Sequence, residues 1–407
     1  MKDFFKKWAG ALIRLWTYEP LPDNEVEAYK VRARNRRRSL LRRGLILAAV
    51  VLVIVLIVLN VSAHAHYDSY EIKEDSASVK TDNVSTYLTV DQYVLRYSSD
   101  GVSLLNSDLS GRWNVTYTME DPRADICGDT ILIYDKDSTS VMIFDKDGKL
   151  GEFTSEKPIV KGRVSSAGNV ALLLEDDGHA LIRYLTPEGE TIAVASTTLE
   201  ALGYPADLDI SDNGLYLAVS YMYVGDGTTG SRLVLYDFSV KGSRYTDNIL
   251  WQDTYDGILV PEVFFAENKT LIANREDGFT VYNAGNGKRT EEKTFEEHVL
   301  GTFRTDNRTG YVFEADEEDE GRYRIEFYDK GGSLRNTVST DLLYDRIEVS
   351  RDQVLLTNSS SLAVIADNGC VRFTGSFDEG LISSALHLTG TDYLLVTNSK
   401  TEIIVLK

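Results

Sequence analysis

The sequence predicts an all-β β-propeller, with eight blades preferred over seven, carried on a single N-terminal transmembrane helix. Three observations predict it. An uncharged apolar stretch of membrane length lies near the start of the chain. Beyond it, a strand-and-turn unit recurs at a spacing of roughly 40 residues up to the last residue. No helical hydrophobic period follows residue 67, and the whole chain holds only seven prolines.

The first 43 residues form a basic tail. They carry 12 Lys and Arg against 5 Asp and Glu, a net of +7 within a chain whose total is −20. Within residues 1–18, Phe4, Phe5, Trp8, Leu12, Leu15 and Trp16 recur at helical spacing, with Lys2, Lys6, Lys7 and Arg14 mostly on the other side. This predicts a short amphipathic helix in the inner leaflet, with Trp at headgroup level. Pro20 and Pro22 end it. The arginines from Arg32 to Arg43 read as topology determinant and lipid contact.

The span itself is Leu45 to Leu59, LILAAVVLVIVLIVL, extended to 20 uncharged residues by its neighbours over 44–63. At 1.5 Å per residue it covers about 30 Å, the thickness of the hydrocarbon core. Arginine crowds only the N-terminal flank, which places the N-terminus in the cytoplasm and the C-terminal part outside. The apolar run is long for a signal peptide and 44 residues precede it, so an uncleaved anchor is preferred to cleavage at the Ala63-His64-Ala65 site. Residues 64–83 are a juxtamembrane segment.

Residues 84–407 carry the repeat. A short alternating strand precedes an Asp, Asn or Gly turn in VSLLNSDLSG, VMIFDKDGK, LIRYLTPEGE, LVLYDFSVKG, TVYNAGNGK, IEFYDKGGS and LAVIADNGC, and an eighth copy, EIIVLK, ends the chain. Upstream of most copies lies an apolar partner such as TILIY, NVALLL or QVLLTN. The unit is four strands with tight turns, whose Gly and Asn tolerate positive φ. Such sheets have apolar faces that they bury only by stacking around an axis. Two β-sandwiches are the alternative, and the regular period argues against them. The eighth copy lacks an outer strand, and the segment YEIKE, residues 70–74, is the candidate to supply it and hide two open sheet edges.

PADLDISDNGLYLAVSY followed by LVLYDFS resembles the repeat of WD-type and TolB-type β-propellers. The resemblance implies architecture alone. The whole arrangement also resembles single-pass bacterial membrane proteins of unassigned activity. It departs from quinoprotein propellers, which carry a regular Gly and Trp docking pattern, because the outer part holds only Trp113 and Trp251.

The sequence shows no catalytic, cofactor-binding or metal-binding constellation. Cys127 and Cys370 fall on distant repeats, which predicts two buried free thiols rather than a disulfide. None of the five histidines has zinc spacing. The DKDG at Asp145 and the EDDG at Glu175 resemble fragments of calcium loops but lack the closing glutamate, so they read as hairpin turns. No G-x-S-x-G elbow or Walker loop occurs, and 58 acids in residues 64–407 make close carboxylate pairs uninformative. The same acidity, a net of −27 there, argues against a nucleic-acid partner.

The face carrying the second-to-third-strand loops and blade-to-blade links is the expected ligand or partner face. It would hold Asp135, Asp137, Asp176, Asp177, residues 225–230 and the acidic run Asp316, Glu317, Glu318, Asp319 and Glu320. The longest link, residues 248–261, would add Trp251 and Tyr255, either exposed for binding or packed beneath the link. The resulting expectation is a membrane-anchored extracytoplasmic binding or scaffold module, with the bilayer and a protein or cell-envelope ligand as partners and no cofactor. The alternative is a propeller hydrolase or lyase acting on envelope polymer.

Overall fold

The structure is a computed structural model and describes residues 20–22, 24–73, 85–176, 179–197, 202–225, 227–315, 321–377 and 380–407. The amphipathic helix expected over residues 1–18 lies outside the described residues. The chain divides into two units, residues 1–65 and 66–407.

Among the described residues the first unit holds one helix, α1, Glu25–Ala63. It starts where Asn24 Oδ1 accepts a hydrogen bond from the Val26 N–H at 3.1 Å, an N-cap that satisfies one of the free donors of the first turn. The basic segment and the apolar run form one continuous rod with no break at Gly44. Along it Leu45, Leu47 and Ile54 are exposed. Among the described residues no helix is long and apolar enough to cross a membrane. The side chains of Leu56, Val58 and Leu59, inside the apolar run, fall outside that set.

The second unit is an eight-bladed β-propeller of four-stranded antiparallel sheets. The first strands, in order of blades 1 to 8, are Thr86–Val90, Pro122–Cys127, Ile159–Val164, Tyr204–Ile210, Glu262–Glu267, Gly301–Arg304, Arg346–Ser350 and Ile382–Thr389. Sequence pattern follows radial position. Second strands such as TILIYD at Thr130–Asp135 and QVLLT at Gln353–Thr357 are buried throughout, because neighbouring blades cover both of their faces. Outer strands meet water, and KRTEEKT at Lys288–Thr294 is exposed along its whole length. The eight clusters of buried apolar side chains are distributed around the ring, most of them drawing on two adjacent blades.

Turn chemistry sets the hairpins. Asp145 Oδ1 accepts from the backbone N–H groups of Asp147 and Gly148 at 2.7 and 3.0 Å. The DKDG segment is therefore an Asx turn joining two strands.

The sheet of blade 8 runs Ile382–Thr389, Asp392–Thr397, Thr401–Leu406 and then Tyr70–Ile72, which brings residues from opposite ends of the unit into one sheet. Tyr70 pairs with Leu406, Glu71 with Val405 and Ile72 with Ile404. Lys407 N–H donates to Ser69 O and Lys73 N–H to Ile403 O, each at 2.9 Å. The Tyr70 ring lies 4.5 Å from that of Phe377. Upstream, Tyr67 N–H donates to Arg372 O at 2.7 Å and so ties the segment to blade 7 as well.

Residues 248–261 are not one long link. Ile249–Asp256 is the outer strand of blade 4, paired with the third strand Thr228–Asp237, and only residues 257–261 connect to blade 5. The length expected in a link sits instead between the third and outer strands, where residues 238–248 form two 3-10 turns. A polar pattern with turn residues on both sides reads as a loop until its pairing partner is known.

Candidate functional site

The first strand of each blade faces the channel and leaves an inner edge with no strand beside it. Backbone N–H and C=O groups there need partners. Polar side chains of the preceding blade supply them. Asp125 of blade 2 accepts from the Val164 N–H of blade 3 at 2.8 Å. Asp207 and Asp209 of blade 4 accept from Val263 and Phe265 of blade 5 at 2.9 and 2.8 Å. Glu348 of blade 7 accepts from Ala385 of blade 8 at 2.8 Å. Arginine covers carbonyls in the same sense: Arg163 Nε donates to Leu208 O at 3.2 Å, and Arg346 donates to Ser383 O.

These groups also form an ion network along the neighbouring first strands of blades 2, 3 and 4. Arg163 Nη1 meets Asp125 at 2.7 Å and its Nε lies 3.6 Å from Asp209, while Lys161 pairs with Asp207. Burial alone would lower the Arg163 pKa, but Asp125, Asp209 and Asp207 outweigh it and hold the guanidinium charged. Burial pushes the Asp209 carboxyl up to about 6, against the pull of Arg163 and Arg304.

Where the first strands end, the channel opens into a cavity of about 710 Å³ on the face of the first-to-second-strand turns. Its wall takes residues from blades 1, 2, 4, 5, 6 and 7. Leu88, Ile126, Phe264 and Val349 form apolar parts of the wall. Arg304, Arg308 and Lys330 of blade 6 and Arg351 of blade 7 bring positive charge. Asp129 of blade 2 and Asp212 of blade 4 bring negative charge, with Asp91 of blade 1 and Asp306 of blade 6 also on the wall. The Arg304 guanidinium stacks 4.8 Å above the Phe264 ring. Cys127 also lines the cavity. Its thiol lies 3.7 Å from an Asp212 oxygen, and burial followed by that carboxylate pushes it up to about 12, so it is not a nucleophile at neutral pH. A second, smaller cavity of about 360 Å³ opens at the other end of the channel, between blades 7, 8 and 1. Among the described residues no group of three or more His, Cys, Asp and Glu is placed to hold a metal ion.

Of the residues expected to form a partner face, the described ones, Asp135, Asp137, Asp176, Trp251 and Tyr255, are spread over several blades and line neither cavity. Asp135 is buried, and its carboxylate accepts from the Asp121 N–H at 2.8 Å. Asp137 is exposed in a turn at φ 59°, and Asp176 pairs with Lys157 at 2.5 Å. Asp177 and residues 316–320 lie outside the described residues.

Trp251 and Tyr255 are packed between blades 4 and 5. Trp251 Nε1 donates to Ala284 O at 2.7 Å, and its ring stacks 5.3 Å from Tyr282. Tyr255 is 3 % exposed and its hydroxyl meets that of Tyr282. Trp113 repeats the Trp251 contact between blades 1 and 2, donating to Asp145 O at 3.2 Å and stacking 5.1 Å from Phe144. Both tryptophans dock an outer strand onto the next blade. Cys127 and Cys370 are free and half-buried.

The charged residues of the mouth carry no sequence signal of their own, because they lie at strand ends and in short turns, where single Arg, Lys and Asp residues are common. The available signal was that the first strands alternate charge with apolar residues, as in PRADIC, IVKGRV and YPADLDI.

Fold and channel together define an eight-bladed β-propeller with a polar-laced channel and one wide mouth. The chain belongs to a family of unknown function, DUF5711, whose model matches residues 63–406. No curated protein matches it. Among solved structures, it is similar to Chaetomium thermophilum Sqt1 bound to the N-terminus of the ribosomal protein L10, at 12 % identity and a TM-score of 0.51 over 82 % of this chain and all of that one. It is similar to the WD40 domain of SCAP from fission yeast at 7 % identity and 0.50, over 83 % of this chain and 98 % of that one. BamB from Moraxella catarrhalis follows at 10 % identity and 0.48, over 83 % of this chain and all of that one. At these identities the likeness shows the fold alone.

Proposed function

We propose that this chain is a membrane-anchored, extracytoplasmic propeller that binds a protein partner at the wide mouth of its channel. The observation that carries the reading is the cavity of about 710 Å³, walled by six blades and mixing apolar, cationic and anionic side chains. A surface of that composition suits a partner that inserts a polar segment between apolar contacts. The ion network beneath fixes the wall, so the partner meets a preformed site.

The anchor rests on the uncharged residues 44–63 lying within α1, on the exposure of Leu45 and Leu47, and on the arginine-rich flank. Protease added to sealed cells should remove the propeller and leave an N-terminal fragment, whereas full protection of residues 85–407 contradicts the orientation. For the partner, crosslinking of the full-length protein in native membranes, followed by mass spectrometry, should return a protein attached to peptides from the mouth. Attachment confined to the outer strands contradicts the reading.

A further inference from the structure

The cations of the mouth are poorly neutralised. Elsewhere in the propeller arginines pair closely with carboxylates: Arg163 with Asp125 at 2.7 Å, Arg289 with Asp253 at 2.8 Å, and Arg275 with Asp277 at 2.7 Å. At the mouth, the ion pairs that the four cations form among the described residues are long, Asp209 lying 3.9 Å from Arg304 and Glu267 3.7 Å from Lys330, while the Asp367 carboxylate, which accepts from Asn307 Nδ2 at 3.4 Å, feels the charge of Arg308 without a close ion pair to it. Arg351 spends its donors on a carbonyl, Asp91 O, at 2.9 and 2.5 Å. Arg308 donates to Asn307 O at 3.3 Å, and its Nε is buried with no hydrogen-bond partner. A buried guanidinium donor without an acceptor is costly, and an arriving carboxylate relieves it with a charge-assisted bond.

The acids of the wall do not fill this role. Asp129 is engaged by Lys146 at 3.0 Å, and blade 2 lies four blades from blade 6, across the mouth. Asp212 receives the Cys127 thiol and belongs to blade 4. Asp306 stands among the cations but is exposed. The mouth is therefore uneven in charge, with its four cations on blades 6 and 7 beside Asp306 and Asp91, and its remaining acids, Asp129 and Asp212, on blades 2 and 4, in a unit of net charge −27 over residues 64–407.

We infer that the blade 6 and blade 7 side of the mouth binds a carboxylate-bearing peptide segment of the partner, with Arg304 and Arg308 as its principal donors. This rests on the reading of the mouth as the partner site. A peptide fits better than a free anion because the donors come from three separate turns around a cavity far larger than one phosphate, with Phe264 and Val349 beside them. The surrounding acidity confines an acidic peptide to this one patch and makes its binding sensitive to salt.

The test uses full-length protein in detergent and fluorescently labelled hexaglutamate, read by anisotropy, with hexalysine and inorganic phosphate as further probes. Hexaglutamate should bind saturably. Arg308→Gln should weaken it about tenfold, the effect of removing one charge-assisted hydrogen bond, without changing the circular dichroism spectrum or lowering the melting temperature. Arg304→Lys, which keeps the charge but not the fork, should weaken it less. Lys288→Gln, on the exposed outer strand of blade 5, should leave it unchanged. Absence of hexaglutamate binding overturns the inference, as does tighter binding of hexalysine. Displacement of hexaglutamate by equimolar phosphate also overturns it, in favour of a small-anion site. A native partner captured equally well by wild type and Arg308→Gln overturns the inference while leaving the mouth as a partner site. Capture by residues away from the mouth overturns both.

Discussion

The carboxylate of Asp209, on the first strand of blade 4, accepts a hydrogen bond from the backbone N–H of Phe265, on the first strand of blade 5, at 2.8 Å. Two residues earlier Asp207 does the same for Val263 at 2.9 Å. The inner edge of blade 5 is thus paired by side chains in place of a strand. The same device recurs from blade 2 to blade 3 and from blade 7 to blade 8. It explains why carboxylates alternate with apolar residues on strands that line a narrow channel: one face packs and the other satisfies the neighbour's backbone.

Loss of one such carboxylate should therefore destabilise the ring more than loss of a surface charge. Asp125→Ala removes the acceptor of Val164 N–H and the closest partner of Arg163. We expect a loss of about 3 kcal/mol, because a largely buried guanidinium and a backbone donor are both left short of an acceptor. Asp125→Asn, which keeps the acceptor, should cost less. Chemical denaturation of the two variants checks the order; equal stability of Asp125→Ala and wild type contradicts it.

Asp209 gives the network a pH dependence. Its folded pKa of about 6 lies above the ordinary carboxyl value because the group is buried. A carboxyl of this kind holds its proton more tightly when folded. Its contribution to stability is fully present below the unfolded pKa of roughly 4 and is lost as pH rises through about 6. Asp209→Asn keeps an acceptor for Phe265 and cannot ionise. It should match wild type near pH 4 and be the more stable above pH 6, by up to about 3 kcal/mol. Melting curves across this range check it, and a variant less stable than wild type at pH 7.5 contradicts the assignment.

The ring should depend on its closing strand. A chain beginning at Ala77 lacks the partner of Thr401–Leu406 and exposes that edge, whereas one beginning at His66 keeps it. We expect the shorter chain to melt several degrees lower and to aggregate, because it loses the strand pairing and the Tyr70 contact with Phe377. Equal midpoints and equal solubility contradict closure by this strand.

The tryptophan contacts predict a local cost. Trp251 covers Gly287, whose φ is 69° and whose missing Cβ would fall 2.8 Å from the indole. Trp251→Ala should cost about 3 kcal/mol through the cavity and the lost bond to Ala284 O. Gly287→Ala should also destabilise, through both backbone strain and the clash. Thermal unfolding of both variants provides the check.

Much of the architecture was legible because propeller repeats separate cleanly by burial. QVLLT and LAVIA have apolar centres and are buried throughout, and the Asp-Gly turns between strands mark the period. The segment YEIKE stood out as a strand with no other place in the repeat. The site was less legible. A turn between strands looks alike in sequence whether it rims an open mouth or a covered edge, so acidic loops of the opposite face drew attention while Arg304, Arg308 and Arg351 did not. Trp251 and Tyr255 were ambiguous for a related reason: an aromatic beside acids reads as a binding residue until Tyr282 and Arg289 of the next blade are seen to pack against Tyr255.

The most direct measurement of the central claim is site-specific photocrosslinking in native membranes. A benzophenone side chain is placed in turn at Asp306, on the wide mouth, and at Asp137, in an exposed turn of the opposite face. A discrete partner adduct is expected from position 306, competed by excess hexaglutamate, and none from position 137. An adduct from position 137 with none from 306 would place the partner on the opposite face and contradict the assignment of the mouth.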